Sequence, residues 1–139
     1  MKSFPLIDRL FDHRYLLLLL LLTSAVFFKG VTPSFSSDDF VHLEHNIHFQ
    51  DLTEAAQVFV EPFGREYRPF VRLSLWLNHQ MGETALPYKI SNLLMHLICI
   101  ALVYGLLLRL DVNKTVALIA SSIFALYPIH TTSVHFILG

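Results

Sequence analysis

Residues 90–108 form an unbroken run of 19 residues without a Lys, Arg, Asp or Glu, bracketed by Lys89 and Arg109. As a helix rising 1.5 Å per residue, such a run covers roughly the ~30 Å hydrocarbon thickness of a bilayer. Two further apolar runs follow the same logic less completely. YLLLLLLLTSAVFF, residues 15–28, rises only about 21 Å, but reaches residue 31 if Lys29 snorkels to the interface. The third runs from 115 to 126 and is disturbed by Pro128, after which Thr131 or Thr132 can cap a new helix. The closing SVHFILG reads as the start of another span. The chain is therefore expected to be all-α and polytopic. Spans are placed at about 15–31, 90–108 and 115–128, with an exterior loop over 32–89 and a fourth span beginning over 131–139. Ending inside an element, it reads as the N-terminal part of a longer protein and is expected to be inactive alone.

Composition agrees. Of 139 residues, 54% are hydrophobic and 15% charged, against about 25% charged in an average soluble domain. A short chain cannot hide that much apolar surface in one small core, and disorder is argued against. Net charge is −1 with no basic tract, so no nucleic-acid partner is expected. A single cysteine, Cys99, rules out an internal disulfide or a cysteine zinc cluster and reads as a packing residue.

Lys and Arg density sets the orientation. Residues 1–14 carry Lys2, Arg9 and Arg14, and the turn 109–114 carries two more basic residues. The long segment between the first two spans holds five, spread thinly. The N-terminus and the 109–114 turn are expected inside, the loop outside in a periplasm or lumen. The first run also resembles a signal peptide, but its exit, FFKGVTPS, has no A-x-A cleavage site, which favours a retained helix. Both readings put the loop on the same side. The sequon Asn113-Lys-Thr115 then falls in the inner turn and is read as chance.

The loop is more than a tether. Asp51-Leu-Thr-Glu54 resembles a capping box and predicts a short helix to about residue 59, broken by Pro62 and Gly64. Pro69 suits the first turn of a helix over FVRLSLWLNHQM. Phe70, Leu73, Leu77 and Met81 share an apolar face there, with Arg72 and His79 on a narrow polar one. Too short to span, this helix is expected at the interface or packed on the membrane helices.

Several clusters carry chemistry, each beside a plainer reading. Asp38-Asp39 offers two carboxylates close to a membrane surface, able to hold a divalent cation or supply a base, or else to cap a solvated turn. His42, His45 and His48 recur every third residue around Glu44, a transition-metal pattern on a helix, though an exposed polar stretch reads the same way. Tyr88, Asn92 and His96 form one stripe on the second span. Polar groups there must face protein or a wet cavity, and interhelical hydrogen bonding is preferred to substrate contact. Arg65, Arg68 and Arg72 can grip a phosphate or pair with Glu61 and Glu66. His130 follows Pro128 at the outer end of the third span.

YRPFVRLSLWLNHQMGETALPYKISNLLMHLICIALVYGLLLRL resembles a stretch in membrane glycosyltransferases of the C superfamily. Within it, the chain most resembles the O-mannosyltransferase-like proteins that carry tetratricopeptide repeats. Tyr67, Arg68, Pro69, Leu73, Ser74, Asn78, Gly82, Pro87, Tyr88, Asn92 and His96 fit that pattern, and ALYPIHTTSVHFILG resembles its ALHPIHTEAVAWISG. Asp38-Asp39 stands where that family has its exterior acidic pair, with Asn46 downstream; the likeness covers about residues 38–139. Tyr127 replaces a common His, Thr132 a Glu, and His135-Phe136 an Ala-Trp pair.

The resemblance implies an enzyme of the membrane (the inner or plasma membrane in bacteria, the endoplasmic reticulum in eukaryotes). It would move a sugar from a polyprenyl-phosphate donor to a hydroxyl acceptor on protein or glycan at the outer or luminal face. It implies that one of Asp38 and Asp39 is the base, with Asp38 taken first and the other as support or metal ligand, the choice between the two left open. Arg68 is placed on the phosphate, and Asn92, His96 and His130 are candidate substrate contacts. No cofactor is implied beyond a divalent cation at the acidic pair. The alternatives are a membrane scaffold without chemistry, which the Thr132 departure favours, and a transporter, which intramembrane Asn92 and His96 favour.

Overall fold

The computed structural model describes residues 14–36, 39, 59, 67–82 and 84–137. Among them are five helices and no strand. These are α1 (Arg14–Phe28), α2 (Pro69–Met81), α3 (Leu86–Arg109), α4 (Lys114–Leu126) and α5 (His130–His135). The capping box at 51–54, the histidine triplet at 42, 45 and 48, Arg65 and Asp38 lie outside the described residues.

α3 is the one helix among the described residues long and apolar enough to cross a membrane. Its 24 residues correspond to about 36 Å. It begins four residues before the apolar run, with Pro87 in its first turn, where a missing N–H costs nothing. It ends in a double-bonded cap: Asp111 N–H donates to Leu108 O and Val112 N–H to Leu107 O. Asp111 takes the left-handed conformation at φ 57°, which the cap requires and Asp tolerates better than most side chains. Asn113 then caps α4, its Oδ1 accepting Thr115 N–H at 2.9 Å. That gives the residue of the apparent sequon a local job.

The other apolar helices are shorter than expected. α1 stops at Phe28 instead of reaching 31, because the chain turns back through Gly30 N–H to Phe27 O and Val31 N–H to Phe28 O. α4 stops at Leu126; Tyr127 is extended, as the residue before a proline must be. α5 has six residues and gives way to extended backbone at Phe136, so the segment expected to start a fourth helix turns after His135.

α3 touches each of the other four helices. Leu19, Ile100 and Ala125 join α1, α3 and α4 in one core. Phe27, Leu93 and Val134 join α1, α3 and α5, and Leu75, Tyr88 and Ile137 join α2, α3 and the chain after α5. α4 turns Ala117, Ser121 and Ala125 inward, all fully buried. This small-residue stripe lets helix backbones approach closely, as in membrane bundles. The outer faces keep their leucines and isoleucines exposed, among them Leu21, Leu102 and Ile123. So wide an apolar surface is foreign to a monomer in water and at home against lipid.

α2 packs on α3, as one of its two expected placements has it. Its apolar residues Phe70, Leu77 and Met81 point outward, while Leu75 and Asn78 are buried. Arg72 and His79 are half-buried beside them. The amphipathic rule assumes water outside. Here the polar face has partners waiting on α3, and the apolar face is left for lipid or another apolar surface.

Candidate functional site

The first half of α3 carries a polar residue on nearly every turn, and each finds a partner outside α3. Lys89 is buried; its Nζ donates to Thr32 Oγ1 at 3.0 Å and to Ser34 O at 2.9 Å. With Ala85 N–H bonded to Pro33 O, these bonds staple the segment after α1 onto the start of α3. Ser91 Oγ donates to Asn78 Oδ1 at 2.6 Å, and Tyr88 OH stands 3.4 Å from His79 Nδ1, so α2 is held by the same turns. Asn92 Nδ2 donates to Phe136 O at 2.8 Å.

His96 Nε2–H donates to Ala125 O at 3.0 Å. That carbonyl belongs to the last turn of α4 and has no partner within its helix. His135 serves α1 likewise, its Nε2–H donating to Phe27 O at 3.0 Å. Imidazoles on helix C-termini sit in a favourable dipole field; His96 meets a carbonyl otherwise unpaired among the described residues, while Phe27 O also accepts Gly30 N–H. The His135 ring lies over Gly30, where any Cβ would collide with it. The stripe of Tyr88, Asn92 and His96 is thus realised as hydrogen bonding between elements.

These bonds line a cavity. It is an open hollow of about 240 Å³, lined by Asn92, Met95, His96, Cys99, Phe124, His130, Ser133 and Val134. The His96 and His130 rings stand 4.7 Å apart, and Phe124 lies 4.7 Å from His130. Burial first, and His96 second, lower the His130 pKa from its ordinary value. Along α2 a second hollow of about 510 Å³ adjoins the cavity, sharing Asn92 and Met95 and otherwise lined by Phe70, Leu77, Asn78 and Ser91 among others.

Of the residues singled out in the sequence, Asn92, His96 and His130 are therefore brought together. Asp39 is buried, and both its oxygens accept backbone N–H groups, from Ser36 and Ile137. Arg68 is exposed at the N-cap of α2 and does not line the cavity. Burial lowers the pKa of Arg72, one turn on, without discharging it at neutral pH. Thr132, exposed, donates its hydroxyl to Ile129 O. Among the described residues no three His, Cys, Asp or Glu groups are set to hold a metal ion.

Sequence reasoning missed Lys89, Ser91–Asn78 and His135. Lys89 was detectable: it shares a face with Leu93, His96 and Ile100 at helical spacing. His135 was not, because its partner lies 108 residues away.

The chain is similar to a protein O-mannosyl-transferase of Caenorhabditis elegans, 29% identical over 140 residues, which takes in 91% of this chain. The chain spans 20% of that relative's length. No family model matches the chain, and no solved structure matches it. Among the described residues, then, the chain is all-helical with one helix of membrane length, and its sequence is similar to that of a protein named an O-mannosyl-transferase.

Proposed function

We propose that this chain is part of a multi-pass membrane glycosyltransferase that moves a sugar from polyprenyl phosphate to a protein or glycan hydroxyl at the exterior or luminal face. The observation that carries the reading is the convergence of Asn92, His96 and His130 on one cavity, in a chain similar to an O-mannosyl-transferase. An imidazole pair, an amide and an aromatic wall suit a monosaccharide, which offers hydroxyls at its rim and C–H groups on its faces. The apolar hollow beside it suits a lipid-borne donor lying along α3.

In the proposed reaction the Asp38 carboxylate takes the proton of the acceptor hydroxyl. The acceptor oxygen attacks the anomeric carbon, and the bond from that carbon to the phosphate oxygen breaks. The polyprenyl phosphate leaves with the electron pair, and the configuration inverts in a single displacement. Asp38 is preferred to Asp39 as base because the Asp39 oxygens are already engaged by backbone N–H groups. Arg68 is proposed for the phosphate; Asp39, buried with both oxygens engaged by backbone N–H groups, does not fit a divalent cation at the acidic pair.

The test is sugar transfer by the complete protein of which this chain is proposed to be part, in membrane vesicles supplied with a radiolabelled polyprenyl-phosphate mannose. Transfer by the unaltered protein, lowered about 10²–10⁴-fold by Asp38→Asn, is the expected result. Absence of product from the unaltered protein across donors and acceptors contradicts the reading and favours a scaffold.

A further inference from the structure

The peptide unit between Phe136 and Ile137 is gripped on both polar atoms. Its carbonyl oxygen accepts Asn92 Nδ2–H at 2.8 Å, and its N–H donates to Asp39 Oδ1 at 3.0 Å. Phe136 is extended, at φ −98° and ψ 150°, so no helix competes for either atom. Asp39 closes a small turn at the same time: Ser36 N–H donates to its Oδ2 at 2.8 Å, and its own N–H donates to Ser36 O at 3.1 Å. One carboxylate thus joins the loop after α1 to a backbone group 98 residues further on, and that group is held in turn by a residue of the cavity wall.

We infer that Asp39 and Asn92 are a pair of positioning residues, acting through the Phe136–Ile137 peptide to lock the acidic loop to the cavity wall. Asp39 is 2% exposed. A reacting base must come within hydrogen-bond reach of its substrate's hydroxyl, and this carboxylate is turned inward onto backbone donors instead. Such charge-assisted bonds are roughly twice as strong as neutral ones, which suits a tether across a long loop. Ile137 then packs on Leu75 and Tyr88, carrying the lock to α2. The purpose given to the lock rests on the transfer reading; the lock itself does not.

The experiment uses the full chain in lipid nanodiscs, with Asp39→Ala, Asp39→Asn, Asn92→Ala and the Asp39→Ala/Asn92→Ala double variant. Amide exchange over residues 134–137 reads the lock directly. Asp39→Ala is expected to speed it about tenfold or more, the scale of one lost bond to a charged group. Asn92→Ala should act in the same direction, and the double variant by less than the product of the two. Asp39→Asn keeps the shape and one acceptor oxygen, so it should fold and give an intermediate rate. In sugar transfer, Asp39→Asn should keep the acidic limb of the pH profile, with the loss falling on KM for acceptor more than on kcat.

Unchanged exchange in Asp39→Ala overturns the inference. So does Asp39→Asn that loses the acidic limb and about 10²–10⁴-fold in kcat while exchange stays unaltered, since that assigns Asp39 as the base. If the unaltered protein transfers no sugar, exchange still decides the lock, and the transfer reading alone fails.

Discussion

The two halves of α3 share one helix and do opposite things. From Tyr88 to His96, Lys89, Ser91, Asn92 and His96 each hydrogen-bond a different stretch of chain. From Leu97 to Arg109 the helix packs through Ile100 and Tyr104 and turns Leu102 and Leu106 outward. The second half has the composition of a membrane helix of the simplest kind, cohesive by shape. The first half is expensive in an apolar medium unless every polar group is met. It is met by loop segments and helix ends, so the polar half gathers irregular backbone around itself and makes a cavity where the apolar half makes only contact.

That contrast can be broken at both ends. The largest effect is expected in the apolar half. Ile100 is fully buried against Leu19 and Ala125, and Ile100→Ala should cost about 3 kcal/mol of unfolding free energy in micelles. Leu102→Ala, two residues on and facing outward, should cost less than about 0.5 kcal/mol. Equal costs would mean the outer face is covered by protein. In the polar half, Lys89→Met should cost about 2 kcal/mol, since a buried ammonium with two acceptors is removed. It should also raise protease nicking between residues 30 and 36. A loss of stability without faster nicking would show that Lys89 does not hold that segment.

The smallest effect is on pH. The His130 pKa is lowered in the fold by burial and then by His96, so the unfolded chain takes up its proton first as pH falls. The stability this group supports is therefore present above the ordinary histidine pKa of about 6.5 and is lost as pH falls below it. His130→Gln should flatten that part of the pH–stability curve. An unchanged curve would show that another group carries it.

The apolar half was the more legible in the sequence, and the reason is physical. A run of 19 residues without charge states its own environment, and Pro128 announces where α4 stops. The stripe Tyr88, Asn92 and His96 also announced that it faces protein. What could not be read were partners distant in the chain: Asp39 with Ile137, His135 with Phe27. Which face of α2 is buried was not legible for another reason. Amphipathic patterns tell inside from outside only when the outside is water, and Asn78 and His79 had polar partners on α3 that local sequence does not reveal.

The orientation of the two halves of α3 across a bilayer is open to direct measurement. In a Cys99→Ser background, single cysteines replace Ser34, beside the polar half, and Leu110, at the end of the apolar half; both positions are exposed. Sealed cells or vesicles of known sidedness are treated with a membrane-impermeant maleimide. The account predicts labelling at 34 from the exterior or luminal side, and at 110 only after permeabilisation. Labelling of 110 from the exterior with 34 protected would put the polar half and Asp39 in the cytosol, and contradict it.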